Sequence, residues 1–372
     1  MAGYCVCGAQ ELSEFTVGVC KALGADDDVA IEVARHLVRA NLSGHDSHGM
    51  QRLPQYAAQV KNGNLLPDAR PVVLRESAVT AVIDARRGFG HFSTAFALSW
   101  AMERAREHGL AAAAVRHSTH IGRLGEYSER AGEQGFISMV TVGWAGKGIG
   151  AVVPFGGRQR FLGTNPWSIG VPAQGLPPMV YDAATSVVAE GKVRVARARG
   201  VSLPPGYLID SAGNPSTNPA DLYAGGALLP LGGEMSGHKG YGLAMASALI
   251  GGLAMIDDSD YTLASAASTP KDRRGEMSGV FLAVINPAFF GDAGHYRAMV
   301  KETLPAAGEV EPAAGYERVL VPGEPEVMAR ARRAVEGIAL PESTWQELGR
   351  LAEETGVPLP APRRSGEDSS QG

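Results

Sequence analysis

The sequence predicts an α/β protein with a helical N-terminal segment and no dinucleotide-binding domain of the Rossmann type. Three observations carry this. Residues 11–42 hold two successive helix-period apolar patterns. From residue 92 onward, helical and strand-like patterns alternate. No G-x-G-x-x-G follows a strand, and the glycine clusters Gly146-Lys-Gly-Ile-Gly150 and Gly237-His-Lys-Gly-Tyr-Gly242 have other spacings.

Composition narrows the partners. The 372 residues are 45% hydrophobic, enough for a sizeable core, and the formal charge is only −5. The basic pair Arg86-Arg87 and the run at 194–199 are short and isolated, so no nucleic-acid stripe forms. The longest apolar run, 243–256, is broken by Ser247, Gly251 and Gly252 and falls short of the roughly 20 residues of a membrane span. No basic-then-apolar leader pattern is evident at the start of the sequence, so a cytoplasmic setting is expected. Cys5, Cys7 and Cys20 lack a neighbouring Cys/His cluster, so free thiols are expected and no metal.

In order, helices are expected at 11–23 and 27–40, the second after a Gly-Ala-Asp cap, and a turn at 61–64. Strands follow at 71–74 and 79–83, a long helix at 92–108, and a buried strand at 111–115. Next come a helix at 124–134, a strand at 137–142, a loop at 144–150, an apolar run at 152–154, a turn at 163–166 and a strand at 169–171. A buried helix spans 243–256, a polar loop that could cover a site spans 257–279, and a strand follows at 280–285. Charged amphipathic helices at 324–337 and 342–354 precede a disordered tail at 358–372. The organisation expected is a helical segment 1–75, an α/β core 76–340 and a C-terminal helix with tail 341–372.

Three segments carry chemistry. Residues 41–56 hold Ser47, His48, Arg52 and Tyr56; in a helix starting at Ser47, the last three would be spaced i, i+4, i+8 on one face. Pro54 either kinks such a helix or opens a new one. Imidazole exchanges protons near neutral pH and the arginine fork matches a carboxylate, so the face suits a small organic acid with a nearby carbonyl or hydroxyl. A helix cap and a surface ion pair fit the same spacing. The second segment is the loop after the 111–115 strand, with His117, Ser118, His120 and Gly122, where a crevice forms in α/β folds. Gly122 and Gly125 would let a flat ligand approach the backbone. In the third, Gly237–Gly242 precedes the 243–256 helix, so free N–H groups, the helix dipole and Lys239 could hold a phosphate.

Together these segments resemble a known family. Gly44-His-Asp-Ser-His-Gly49 with Arg52, Leu53, Pro54 and Tyr56, then Gly163-Thr-Asn-Pro166, Asp182-Ala-Ala-Thr-Ser186, Gly191-Lys192, Gly237-His-Lys-Gly-Tyr-Gly-Leu243 and Ile285-Asn-Pro287 are similar to the type 2 malate/L-lactate dehydrogenase family over about residues 10–340. That family includes ureidoglycolate and sulfolactate dehydrogenases, diketogulonate reductase and piperideine-carboxylate reductases. The resemblance implies a nicotinamide-dependent oxidoreductase with a non-Rossmann α/β fold, using NAD or NADP, typically a homodimer with its site near the subunit interface. Position by position, it implies that Ser47, Arg52 and Tyr56 bind substrate and that His48 or His120 is the acid/base. Thr164, Asn165, Asp182, Ala183, Ala184, Lys239, Gly240, Gly323 and Glu324 match segments that contact cofactor. Arg123, Leu124, Gly125, Glu126 and Tyr127 depart from many members, which implies a different pocket wall, and the 144–150 loop is longer than in some. The run from His120 to Tyr127 and residues 189–196 most resemble the hydroxycarboxylate branch, which favours 2-oxo acids over imines.

The mechanism expected has Arg52 pairing with the substrate carboxylate, hydride passing between nicotinamide and the 2-carbon, and a histidine protonating the oxygen. An Asp182 carboxylate near that histidine would raise its pKa and fix its tautomer. Two other functions fit parts of the pattern: reduction of a cyclic imine bearing a carboxylate, and dinucleotide binding without catalysis. A protein that only binds a dinucleotide has no use for a proton donor beside a carboxylate anchor.

Overall fold

The computed structural model describes residues 3–257 and 278–362. The expected covering loop falls mainly, and the end of the expected tail wholly, outside the described residues. Strand β1 (Tyr4–Cys7) leads into α1 (Ala9–Ala22) and α2 (Asp27–Leu42), whose apolar faces bury Leu12, Phe15, Val19, Val33 and Leu37 against each other. The next stretch is not one helix. Two 3-10 turns, Asp46–His48 and Met50–Arg52, precede α3 (Leu53–Lys61), and Pro54 sits in the first turn of α3, where a missing N–H does no harm. Gly49 is extended (φ −97°, ψ −145°) and separates the turns, so His48, Arg52 and Tyr56 do not share one helical face.

The alternation that follows builds one mixed sheet: β2 (Val72–Glu76), β3 (Thr80–Asp84), α4 (Gly90–His108), β4 (Leu110–Arg116), α5 (Gly125–Glu133), β5 (Ile137–Gly143), β6 (Trp167–Val171) and β7 (Met179–Ala183). With β11 (Gly279–Ile285) its order is β2-β3-β4-β11-β5-β6-β7. Among the described strands only β3 and β4 pair in parallel, with α4 as their crossover. A mostly antiparallel sheet of this kind has no doubly wound crevice, which is why the Rossmann fingerprint is missing. Helix α4 lays Ala97, Leu98, Ala101 and Ala105 on the alanine-rich strand β4, and small residues on both sides let helix and sheet pack closely.

A third cluster forms beside the sheet from α6 (Glu190–Arg199), the two-residue strands β8 (Leu208–Ile209), β9 (Pro215–Ser216) and β10 (Ala227–Leu228), and α7 (Gly233–Gly251). Helix α7 begins ten residues before the expected start at 243, with a kink at Ser236 (φ −138°). Gly237–Gly242 thus lies inside the helix rather than ahead of it. The chain continues through α8 (Ala293–Gly308), α9 (Glu324–Glu336), β12 (Ile338–Pro341) and α10 (Glu342–Thr355). Strand β12 pairs with β1, and Ile338, Leu340, Leu348 and Leu351 share the core of α1 and α2. No described helix is long and apolar enough to cross a membrane.

Candidate active site

The parallel pair decides where chemistry gathers. β3 and β4 end in register, Asp84 opposite Arg116, so the loops past both carboxyl ends leave the sheet at the same edge and can carry their polar residues together. Past β3 the chain turns through Arg86 and Arg87, both at positive φ, into the start of α4 and His91. Past β4 it turns through His117 (φ 49°) into the segment that carries His120. Thr119 ties the two turns together: its Oγ1 accepts from Gly90 N–H at 3.0 Å and donates to the Gly88 carbonyl at 2.9 Å. A Cβ on Gly90 would lie 2.4 Å from the Thr119 carbonyl oxygen and 2.6 Å from that of His120, so this approach needs glycine.

The broken stretch after α2 supplies the other wall. Asn41 holds it, its Oδ1 accepting from Met50 N–H at 2.7 Å and its Nδ2 donating to Asp46 at 2.7 Å. His48 then stacks on His120, ring centroids 5.6 Å apart and planes 21° apart. Ser47 Oγ lies 2.9 Å from His48 Nδ1. Arg52 donates from Nε to the Ser47 carbonyl (2.7 Å) and from Nη1 to Gln55 (2.8 Å), which fixes the guanidinium and leaves Nη2 without a hydrogen-bond partner among the described residues. Burial, then Arg52, push both imidazoles down, His48 to about 3 and His120 well below its ordinary value. Near pH 7 both rings are neutral bases.

Tyr56 is only 1% exposed, and its hydroxyl points at imidazoles, 2.7 Å from His120 Nδ1 and 3.3 Å from His91 Nε2. The structure places it behind His120, not on the open side expected of a substrate ligand. Gly122 and Gly125 also face inward. A Cβ on Gly122 (φ +74°) would meet His36 Nε2 at 2.2 Å, and one on Gly125 would meet the Arg123 and Asp182 side chains at 2.6 and 2.9 Å. Arg123, expected in the pocket wall, is buried and pairs with Glu129 at 2.9 Å. Asp182 accepts from Gly125 N–H at 2.7 Å and lies 3.6 Å from Arg123. No hydrogen bond joins it to His48 or His120 among the described residues, so it braces the start of α5 instead of orienting either ring. Burial pushes its carboxyl up, against the pull of Arg123.

The cofactor candidates separate into two groups. Gly323, at φ +92°, caps α9 against β7, where the Pro322 carbonyl accepts from Val180 N–H at 3.3 Å. Gly323 and Glu324 line a cleft of about 370 Å³ with Leu176, Pro178 and Arg318; Gly323 also borders one of about 550 Å³ with Arg39 and Arg330. Asp182 and Ala183 lie on the same strand β7, followed by the partly exposed Ala184. The second group lies against α7. Thr164 accepts from Thr185 N–H through its carbonyl (2.8 Å). Asn165 is fully buried; it donates to the Trp144 and Ala244 carbonyls (3.1 and 2.9 Å) and accepts from Trp144 N–H (3.2 Å), so its amide is engaged in holding the fold. Lys239 is exposed on α7, and Gly240 is packed on Leu231, where a Cβ would lie 2.3 Å from the carbonyl oxygen.

Two contributors went unselected in the sequence. His91 and His36 lie behind His120, their ring centroids 4.7 Å apart. His91 follows a Gly-Phe-Gly turn after the strand expected at 79–83, and a position past a strand end is also what singled out His120. Gly191 at the start of α6 comes within 3.8 Å of Ser47 Cβ, measured from its added Cβ position.

Comparison with known proteins places this arrangement. A family model described as malate/L-lactate dehydrogenase matches residues 7–349. Hydroxycarboxylate dehydrogenase B of Escherichia coli is 35% identical over 354 residues, covering 94% of each chain. A delta(1)-pyrroline-2-carboxylate/delta(1)-piperideine-2-carboxylate reductase of Pseudomonas syringae is 34% identical over 334 residues, 88% of this chain and 91% of that one. The crystal structure of malate dehydrogenase from Entamoeba histolytica superposes with a TM-score of 0.88 at 28% identity, covering 96% of this chain and all of the other.

Proposed function

The chain belongs to the malate/L-lactate dehydrogenase family, and from that membership we propose that it transfers hydride between a nicotinamide cofactor and a 2-oxo acid/2-hydroxy acid pair. The observation that carries the reading is the fixed Arg52 guanidinium, with one nitrogen unpartnered among the described residues, beside the stacked imidazoles of His48 and His120. That nitrogen is a donor for a substrate carboxylate.

The residues present fit a dinucleotide. The clefts on either side of Gly323 offer adenosine an apolar wall of Leu176 and Pro178, and their arginines Arg318, Arg39 and Arg330, each paired with a glutamate of the same cleft, would have to exchange those partners for phosphates. Strand β7, with Asp182 and Ala183, leads from there toward Gly125 and the His120 segment. When bound in its reduced form, the nicotinamide supplies the hydride to the 2-carbon.

The chain's own residues do the rest. Arg52 anchors and orients the carboxylate, which sets the carbonyl beside the imidazoles. The carboxylate's charge also offsets Arg52, the second largest influence holding His48 and His120 neutral, so substrate binding favours an imidazolium. During reduction that imidazolium gives its proton to the carbonyl oxygen; during oxidation the neutral ring takes the hydroxyl proton. A cyclic imine with a carboxylate would use the same anchor, but its nitrogen can arrive already protonated. Two imidazoles at the site favour the oxo acid. A homodimer belongs to the same reading, is supported by the exposed pair Phe289 and Phe290, and is read by light scattering.

The test mixes purified protein with NADH or NADPH and a panel of 2-oxo acids and cyclic imino acids and follows nicotinamide absorbance. Turnover of a 2-oxo acid is expected, and the two cofactor arms show which one serves. Faster turnover of a cyclic imine than of any 2-oxo acid would replace the reading, and no turnover with any of them would overturn it.

A further inference from the structure

Behind His120 stands a column of buried rings, Tyr56, His91 and His36, each at most 1% exposed, and none of them open to a substrate. Tyr56 has one hydroxyl proton and two imidazole neighbours, His120 Nδ1 at 2.7 Å and His91 Nε2 at 3.3 Å. It donates to one and accepts from the other. Either Tyr56 donates to His120 Nδ1 and His91 donates to Tyr56, or His120 Nδ1–H donates to the Tyr56 oxygen and Tyr56 donates to a lone pair on His91.

The two arrangements differ in what they allow at His120. In the first, Nδ1 is an acceptor, and the ring becomes imidazolium only by breaking its bond to Tyr56. In the second, Nδ1–H stays in place whether the ring is neutral or charged, and Nε2 alone gains and loses a proton. A group that serves as acid in one direction and base in the other needs the second.

Burial, then His48 and Arg35, push His91 down to about 3, so the ring stays neutral and always keeps one lone pair. Its Nδ1 has no hydrogen-bond partner among the described residues, so its tautomer is decided at Nε2 by Tyr56. His36 cannot interfere as a cation. Its Nε2 accepts from Arg123 N–H at 2.9 Å, which places the proton of the neutral ring on Nδ1. The titratable and charged groups that face His120 are Arg52, His48, Tyr56, His91 and, farther back, His36.

We propose that His91 is a positioning residue for proton transfer: its Nε2 lone pair holds the Tyr56 hydroxyl so that the Tyr56 oxygen accepts from His120 Nδ1–H, and His120 exchanges the substrate proton through Nε2. This rests on the dehydrogenase reading above. The proton balance is closed at His120, because Nε2–H passes to the carbonyl oxygen in reduction and returns from the hydroxyl in oxidation, while no proton leaves Tyr56 or His91.

The first experiment records nitrogen-15 NMR spectra of the full chain labelled in histidine, with His91→Gln and His120→Gln used to assign the rings. Protonated Nδ1 on both His91 and His120 is expected; a protonated Nε2 on His91 overturns the proposal. This arm needs no turnover, so it stands apart from a failure of the dehydrogenase reading.

The second is kinetic. His91→Leu lowers kcat for 2-oxo acid reduction by about tenfold, the order of one lost hydrogen bond, with KM within about twofold. The basic limb of its kcat profile moves down by about one pH unit, because the imidazolium has lost a supported acceptor. His91→Gln, whose amide reaches the Nε2 position, restores both. In a Tyr56→Phe background His91→Leu costs nothing further, because His91 acts only through the hydroxyl. Losses that multiply in the double variant, or a pH limb that does not move, overturn the proposal.

Discussion

Replacing Glu129 with glutamine probes the frame behind the active-site loop. Glu129 is 3% exposed; Oε1 accepts from Arg123 and Arg330, both at 2.9 Å, and Oε2 accepts from Arg39 at 3.1 Å. Burial alone would push its carboxyl up, but the three cations outweigh it and hold the pKa at about 2, against an ordinary 4.5. At 1.36 kcal/mol per unit, this depression corresponds to about 3 kcal/mol of stability. Since the folded value lies below the unfolded one, that stabilisation is complete above about pH 4.5 and is lost as the pH falls toward 2. The amide keeps the shape of the side chain but leaves Arg123 with Asp182, at 3.6 Å, and Glu126 as partial counter-charges. Urea unfolding of wild type and Glu129→Gln at pH 7 and pH 3 measures the effect. The variant loses about 3 kcal/mol at pH 7 and less than half of that at pH 3, where the wild-type carboxyl has itself lost most of its advantage. Equal stability at pH 7, or a difference unchanged at pH 3, would refute the role given to these ion pairs.

Arg52→Ala removes the carboxylate anchor and lowers kcat/KM for a 2-oxo acid by about 30- to 1000-fold, the equivalent of roughly 2–4 kcal/mol, in steady-state kinetics; an unchanged ratio moves the anchor elsewhere. Asn165→Ala orphans Trp144 N–H and two carbonyls and costs about 3 kcal/mol in denaturant unfolding, while KM for the nicotinamide cofactor stays within about twofold. A large rise in that KM with stability intact would return Asn165 to the cofactor site. Gly122→Ala sets a Cβ 2.2 Å from His36 Nε2 at a φ of +74° and costs roughly 2–4 kcal/mol in the same assay; a loss below about 0.5 kcal/mol contradicts the close packing.

Much of the sheet was legible because its strands are continuous apolar runs bounded by turns. The patterns at 111–115 and 137–142 became β4 and β5 with a residue or so added at either end. Elements with weak periodicity were not legible. Helix α6 is mostly polar, its buried positions among the described side chains being Val193 and Ala196. Strands β1 and β12 have four residues each, and their pairing of Tyr4 with Pro341 spans nearly the whole chain. At the site, residue types pointed to Ser47, His48, Arg52 and His120, and the fold brings these four together. Spacing misled where the backbone departs from regular helix, at Gly49, and where a side chain turns inward, as Tyr56 does. Asp182 and Asn165 look like ligands in a sequence, yet Asp182 commits Oδ2 to Gly125 N–H and the Asn165 amide is taken by Trp144 and Ala244. His91 also follows a strand end, but that local signal does not show its neighbourhood with His120, which the parallel crossover through α4 creates.

The central claim is hydride transfer to the 2-carbon of an acid held by Arg52. The most direct measurement supplies reduced nicotinamide deuterated at both C4 positions together with a 2-oxo acid that is turned over, and reads the product by mass spectrometry and proton NMR. One deuterium at C2 of a 2-hydroxy acid, formed by wild type and nearly absent with Arg52→Ala, is the predicted result. A product with no deuterium at C2, or equal labelling by the Arg52→Ala variant, would contradict it.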